Sequence, residues 1–147
     1  MRVTILVLFL IAFLGNACAA SNKDNHELQE RCSKHAEDFF KRELNNGVYS
    51  DSYGTQNSTY ANHYNRKLNK CFFLLSMRIV PHNIDNRKKI LKQLWDISEH
   101  HKYGTFRASI ESTKFQKKYK TTECNMAGKT CHFEEDWDAL VKPYMEE

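Results

Sequence analysis

Several chemistries are missing from this chain of 147 residues. No run reaches the roughly 18 to 20 apolar residues that a membrane-spanning helix requires. There is no internal repeat and no low-complexity tract, so solenoids and arrays are excluded. With 5 glycines there is no phosphate-cradling loop. No Gly-x-Ser-x-Gly elbow, no His-Glu-x-x-His helix and no Cys-x-x-Cys pair occurs, which removes the usual signatures of serine hydrolases, zinc proteases and dithiol redox enzymes. Apolar residues at 41% and charged residues at 27% are ordinary for a globular chain and argue against wholesale disorder. One domain is expected.

The N-terminus carries an address. Met1 and Arg2 precede the apolar run VTILVLFLIAFL, and Gly15-Asn16-Ala17-Cys18-Ala19-Ala20 leads into polar sequence from Ser21. A positive start, an apolar core and small residues at a cleavage point make a secretory signal. Residues 1–20 are therefore expected to leave, with cleavage after Ala19 or Ala20, and 21–147 to form the mature domain. Cys18 as a lipidated N-terminal cysteine is the lesser alternative, because Leu14 lies one position too far away for a good lipid-attachment signal.

Export makes the cysteine count even. Loss of Cys18 leaves Cys32, Cys71, Cys124 and Cys131, which reads as two disulfides with three possible pairings. Gly128 near the middle of the 124–131 segment lets the chain reverse. Pairing Cys124 with Cys131 then leaves Cys32 with Cys71. A zinc site is the competing use of these cysteines, but their spacing lacks the tight pairs that zinc takes; no metal and no cofactor are expected.

Helical spacing of Leu28, Cys32, Ala36, Phe39, Phe40 and Leu44 predicts an N-terminal helix, begun by a capping box at Asp24 and Glu27 and ended at Asn45-Asn46-Gly47. Residues 48–62 have loop composition, with Asn57-Ser58-Thr59 matching a glycosylation acceptor that matters only in a eukaryotic secretory pathway. A dense apolar run from Cys71 to Val80 predicts a buried strand, with a helix over residues 60–75 as the alternative. Residues 82–89 read as a polar, basic connection, and residues 90–98 and 103–110 as strands. Gly104 suggests a bulge or a close backbone approach, and residues 115–123 an exposed strand or loop. Phe133, Trp137, Leu140, Val141 and Tyr144 predict a closing helix, its first turns crowded with Glu134, Glu135, Asp136 and Asp138, and Pro143 stopping or kinking it. The fold class expected is α+β: an N-terminal helix, three to four antiparallel strands and a C-terminal helix, with both helices on one sheet face.

Candidate chemistry is sparse. Asp96 and Glu99 with His100 and His101 are the set for a carboxylate–histidine hydrolase, which needs two carboxylates across one scissile bond. Residues 85–123 carry ten Lys and Arg against five Asp and Glu, while residues 124–147 carry two against six. Tyr103, Phe106, Phe115 and Tyr119 interleave with the basic residues, so an anionic polymer is a candidate partner through Lys114, Lys117, Lys118 and Lys120. Tyr49, Tyr53, Tyr60 and Tyr64 form a tyrosine-rich stretch and a candidate recognition surface.

His63-Tyr64-Asn65-Arg66-Lys67-Leu68-Asn69-Lys70-Cys71-Phe72, then Asp96-Ile97-Ser98-Glu99 with Tyr103-Gly104-Thr105-Phe106, and the closing residues 137–145 (WDALVKPYM) resemble small exported bacterial proteins of uncharacterised function. The resemblance spans most of the mature chain and implies a Gram-negative periplasmic or secreted setting. It supplies no activity and no site residues. The function expected is a non-enzymatic exported binding or inhibitor-like domain of the bacterial envelope, with a protein or an envelope polymer as partner. It is expected to act as a monomer, with no intracellular nucleic acid as partner and no membrane span after signal removal.

Overall fold

Helical propensity continues without a break from the apolar leader into the amphipathic segment, and the first element is a single helix, α1 (Arg2–Leu44). The expected start at Asp24 is therefore corrected: the helix is continuous through that position, so no helix end exists there for a capping box to satisfy. The stop is as expected. Asn45, Asn46 and Gly47 all take positive φ, and a Cβ on Gly47 would lie 2.5 Å from the Ser58 carbonyl oxygen, so only glycine passes this close to the sheet. The computed structural model describes residues 2–82, 87–112 and 117–146, and the side chains of these from residue 23 onward other than those of 112 and 117.

Seven strands follow in chain order: β1 (Val48–Ser50), β2 (Gly54–Asn65), β3 (Lys70–Pro81), β4 (Arg87–Asp96), β5 (His101–Ser112), β6 (Lys117–Met126) and β7 (Lys129–Thr130). Each pairs antiparallel with the next, in the order β1 to β7. Helix α2 (Glu134–Met145) follows β7. The expectation of three to four strands is overturned by this seven-stranded meander. Residues 48–62 are β1 and most of β2 rather than a loop, residues 60–75 are not a helix, and residues 117–123 are strand. The connection expected over 82–89 is cut short by β4, and its residues 83–86 lie outside the described residues, as do Lys114 and Phe115.

Strand alternation sends the two helices to opposite faces, which corrects the placement of both on one. Cys71, Phe73 and Leu75 of β3 join Cys32 and Ala36 of α1 in one buried cluster, with Phe39, Phe40, Tyr60 and Tyr64 packed against it. Their neighbours Phe72 and Leu74 point the other way, to Trp137 and Val141 of α2 with Leu94, Phe106 and Met126. The disulfides Cys32–Cys71 and Cys124–Cys131 are as expected, the first fastening α1 to β3 and the second closing the turn from β6 into β7. Gly104 marks a close approach, since a Cβ there would lie 2.6 Å from Asn125 O and from Met126 Sδ, and the β4–β5 register shifts beside it, between Leu94 and Trp95. Phe133 does not join the buried face of α2. It precedes the helix and is 66% exposed, while Asp136 accepts the backbone N–H of Phe133 at 3.1 Å and of His132 at 3.3 Å, which caps the helix start. Pro143 does not stop α2 at once; the helix runs on to Met145. Among the described residues no helix is long and apolar enough to cross a membrane.

Candidate functional site

A mismatch of lengths creates the site. Strands β2 and β3 have 12 residues each, about 40 Å at roughly 3.3 Å per residue. Helix α2 also has 12 residues, but rises about 1.5 Å per residue and covers only about 18 Å. Beyond its N-terminal end the sheet face is open, and a groove of 440 Å³ lies there.

Register builds the groove floor. Asn57 pairs with Arg78, and Arg78 with Ile90; in the adjacent row Thr59 pairs with Ser76, and Ser76 with Lys92. All six residues line the groove, and Glu134 of α2 forms its rim. Amide, hydroxyl and guanidinium groups thus share one concave surface with a single aliphatic side chain, Ile90.

The two cations differ in commitment. Lys92 is clamped between Glu134 at 2.7 Å and Asp138 at 2.8 Å. Burial lowers its pKa, but the hydrogen bonds to Asp138 and Glu134 outweigh that and hold it above the usual 10.5. A lysine raised on folding stabilises the native state fully below its unfolded value, and that contribution is lost as pH rises through the folded value. We therefore expect the urea midpoint of the protein to fall above pH 10.5 by more than that of Lys92→Met, the difference between the two isolating this clamp from tyrosine ionisation. Arg78, by contrast, is exposed, with no carboxylate in ion-pair distance among the described residues.

The other candidate residues do not meet here. Asp96, with no exposed surface, and Glu99 both bind the Lys70 ammonium, at 2.6 Å and 2.5 Å, which holds Lys70 well above the usual lysine value. Asp96 also accepts the Ser98 N–H at 3.0 Å and so fastens the β4–β5 turn. His100 and His101 are exposed at that turn, and the His101 ring lies edge-on to Tyr103 at 5.0 Å. Asp96 and Glu99 thus form a structural knot around one ammonium, and neither they nor the two histidines line the groove.

The tyrosine quartet is divided. Tyr60 stacks on Phe73 at 5.0 Å and meets Phe40 at 4.6 Å beneath α1. Tyr64 receives its place from Gln29, whose side-chain oxygen accepts the Tyr64 N–H at 2.8 Å. Tyr49 and Tyr53 are 54% and 82% exposed and line a second concavity, of 220 Å³, on the α1 side of the sheet. Among the described residues no group of three or more His, Cys, Asp and Glu side chains is arranged to hold a metal ion. Comparison of the chain with protein-family models, curated proteins and solved structures finds no match.

Proposed function

We propose that the chain is an exported, non-enzymatic binding domain of the bacterial envelope, and that the groove beside α2 takes a small polar ligand bearing a carboxylate or a phosphate. The observation that carries this reading is Arg78: an uncommitted guanidinium set among the amide of Asn57 and the hydroxyls of Thr59 and Ser76, beside a lysine whose charge is already spent on Glu134 and Asp138. Arginine presents a planar fork that matches two oxygens of a carboxylate or phosphate. The neighbouring hydroxyls and amide suit further oxygens on the same ligand. An exported setting agrees with two disulfides, which persist in oxidising compartments. An inhibitor-like role is the same reading with the anionic group carried on a protein partner.

Titration with galacturonate and with inorganic phosphate, followed by amide NMR, tests it. Shifts are expected at Asn57, Thr59, Ser76 and Arg78. Arg78→Gln should weaken binding roughly tenfold to a hundredfold, the value of a hydrogen bond to a charged group, while leaving the urea midpoint unchanged. Equal affinity of Arg78→Gln and the parent protein, or shifts located elsewhere, overturns the reading.

A further inference from the structure

On the opposite sheet face α1 packs against β2 and β3, and the surface of β4 to β6 beside it is uncovered by either helix. One cross-strand row runs the width of the sheet just past the C-terminal end of α1. It pairs Tyr49 with Gln56, Gln56 with Ile79, Ile79 with Lys89, Lys89 with Ser109 and Ser109 with Lys120. At about 4.8 Å per strand it is roughly 24 Å long. The next row adds Lys118, opposite Glu111, two residues along β6 from Lys120 on the same face. The tyrosine end is the concave one, where the 220 Å³ hollow is lined by Tyr49, Tyr53, Gln56, Ile79 and Lys89 among others.

We propose that this row binds an acidic polysaccharide lying across the strands. The groups occur in the order such a chain demands. The exposed rings of Tyr49 and Tyr53 offer flat apolar faces to sugar rings. Gln56 and Ser109 offer hydrogen bonds to hydroxyls. Lys89, Lys118 and Lys120 are exposed and, among the described residues, have no carboxylate in ion-pair distance, so their charge is available to the polymer's carboxylates or sulfates. Lysines on an outer strand also guard sheet edges against pairing. That accounts for Lys118 and Lys120 on β6, but not for Lys89, which sits two strands inward and about 10 Å away. The polymer row and the Arg78 groove lie on opposite faces of the sheet, so the two fail or succeed independently.

Binding of the oxidised protein to polygalacturonate and to heparin, measured across a salt series, is the test. Lys89→Gln/Lys118→Gln/Lys120→Gln should bind roughly tenfold more weakly at fixed salt and show a shallower salt dependence. The charge-matched control Lys34→Gln/Lys67→Gln/Lys129→Gln should bind as the parent does. Tyr49→Ser/Tyr53→Ser, which removes exposed rings without touching either core, should weaken binding severalfold. Unchanged binding by the test triple overturns the proposal. So does an equal loss in the control triple, which marks a general charge effect, and so does tighter binding of single-stranded DNA than of either polysaccharide.

Discussion

Replacing Trp137 with alanine lowers the unfolding free energy by about 3–5 kcal/mol, the usual cost of truncating a fully buried aromatic side chain. Trp137 has no exposed surface and belongs to the α2-side core with Phe72, Leu94, Phe106 and Met126; its ring lies 6.4 Å from that of Phe106. Val141 follows one turn later on the same helix face and is too small to fill a vacancy at 137. Against a typical stability of about 5–15 kcal/mol the loss is large enough to unfold a share of the population at room temperature. Trp137→Phe separates packing from polarity. The indole N–H is buried without a hydrogen-bond partner among the described residues, so its removal gives up no such bond, and the phenylalanine variant should lose far less than the alanine one. Urea titration followed by far-UV circular dichroism measures both. A drop in Trp137→Ala below about 1 kcal/mol would show that the cluster repacks around the missing ring.

The second large effect belongs to Cys32–Cys71. The bond closes a loop with a sequence separation of 39, and loop-closure entropy assigns it about 4 kcal/mol, against about 2.5 kcal/mol for Cys124–Cys131 with its separation of 7. Both cysteines are buried, and among the described residues the bond is the one side-chain covalent tie between α1 and the sheet. The double variant Cys32→Ala/Cys71→Ala should therefore melt about 15 °C lower, at roughly 4 °C per kcal/mol, and more than its counterpart Cys124→Ala/Cys131→Ala. Hydrogen exchange should also lose protection first along α1, whose remaining hold on the sheet is the ring cluster of Phe39, Phe40, Tyr60 and Phe73 together with the hydrogen bonds of Gln29 and Ser33 to β2. Equal melting temperatures for the two double variants would assign the stabilisation to something other than loop length.

Both helices were legible in the sequence because their buried faces are apolar and repeat at helical spacing. Cys32, Ala36, Phe39, Phe40 and Leu44 meet the sheet as that spacing requires, and so do Trp137 and Val141. Strand β3 was legible for a related reason: both its faces are buried, so it reads as an uninterrupted apolar run. Strand β2 was hidden because its inward positions are polar or tyrosine. Asn62 donates to Ser33 at 3.0 Å, Ser58 is buried, and the Asn65 side chain accepts the Leu68 N–H. Asn62 and Asn65 are satisfied by partners far away or across a turn, and Ser58 by Gln56 two residues along the strand, while composition alone assigns such residues to loops. The placement of the helices on opposite faces was equally invisible, since Phe72 and Phe73 are both apolar and nothing local says which helix each will meet. The groove could not be read either. Its members come from three strands and one helix, and only the register brings Asn57, Arg78 and Lys92 onto one surface.

The order of the sheet bears on how the chain assembles. Because every strand lies beside its predecessor, each finds its partner already synthesised, and the meander can grow from β1 toward β7 as the polypeptide emerges, by local steps that favour rapid folding. One closure has to wait. The Asn65 amide donates to the carbonyls of Pro143 and Tyr144 at 3.1 Å and 3.3 Å, so the β2–β3 turn is held by residues synthesised long after it. Until then Phe72, Leu94 and Phe106 face solvent on an uncovered sheet. Helix α2 thus acts as a latch on the finished sheet, and a chain shortened before Glu134 should be left with that apolar face open, prone to association rather than simply less stable.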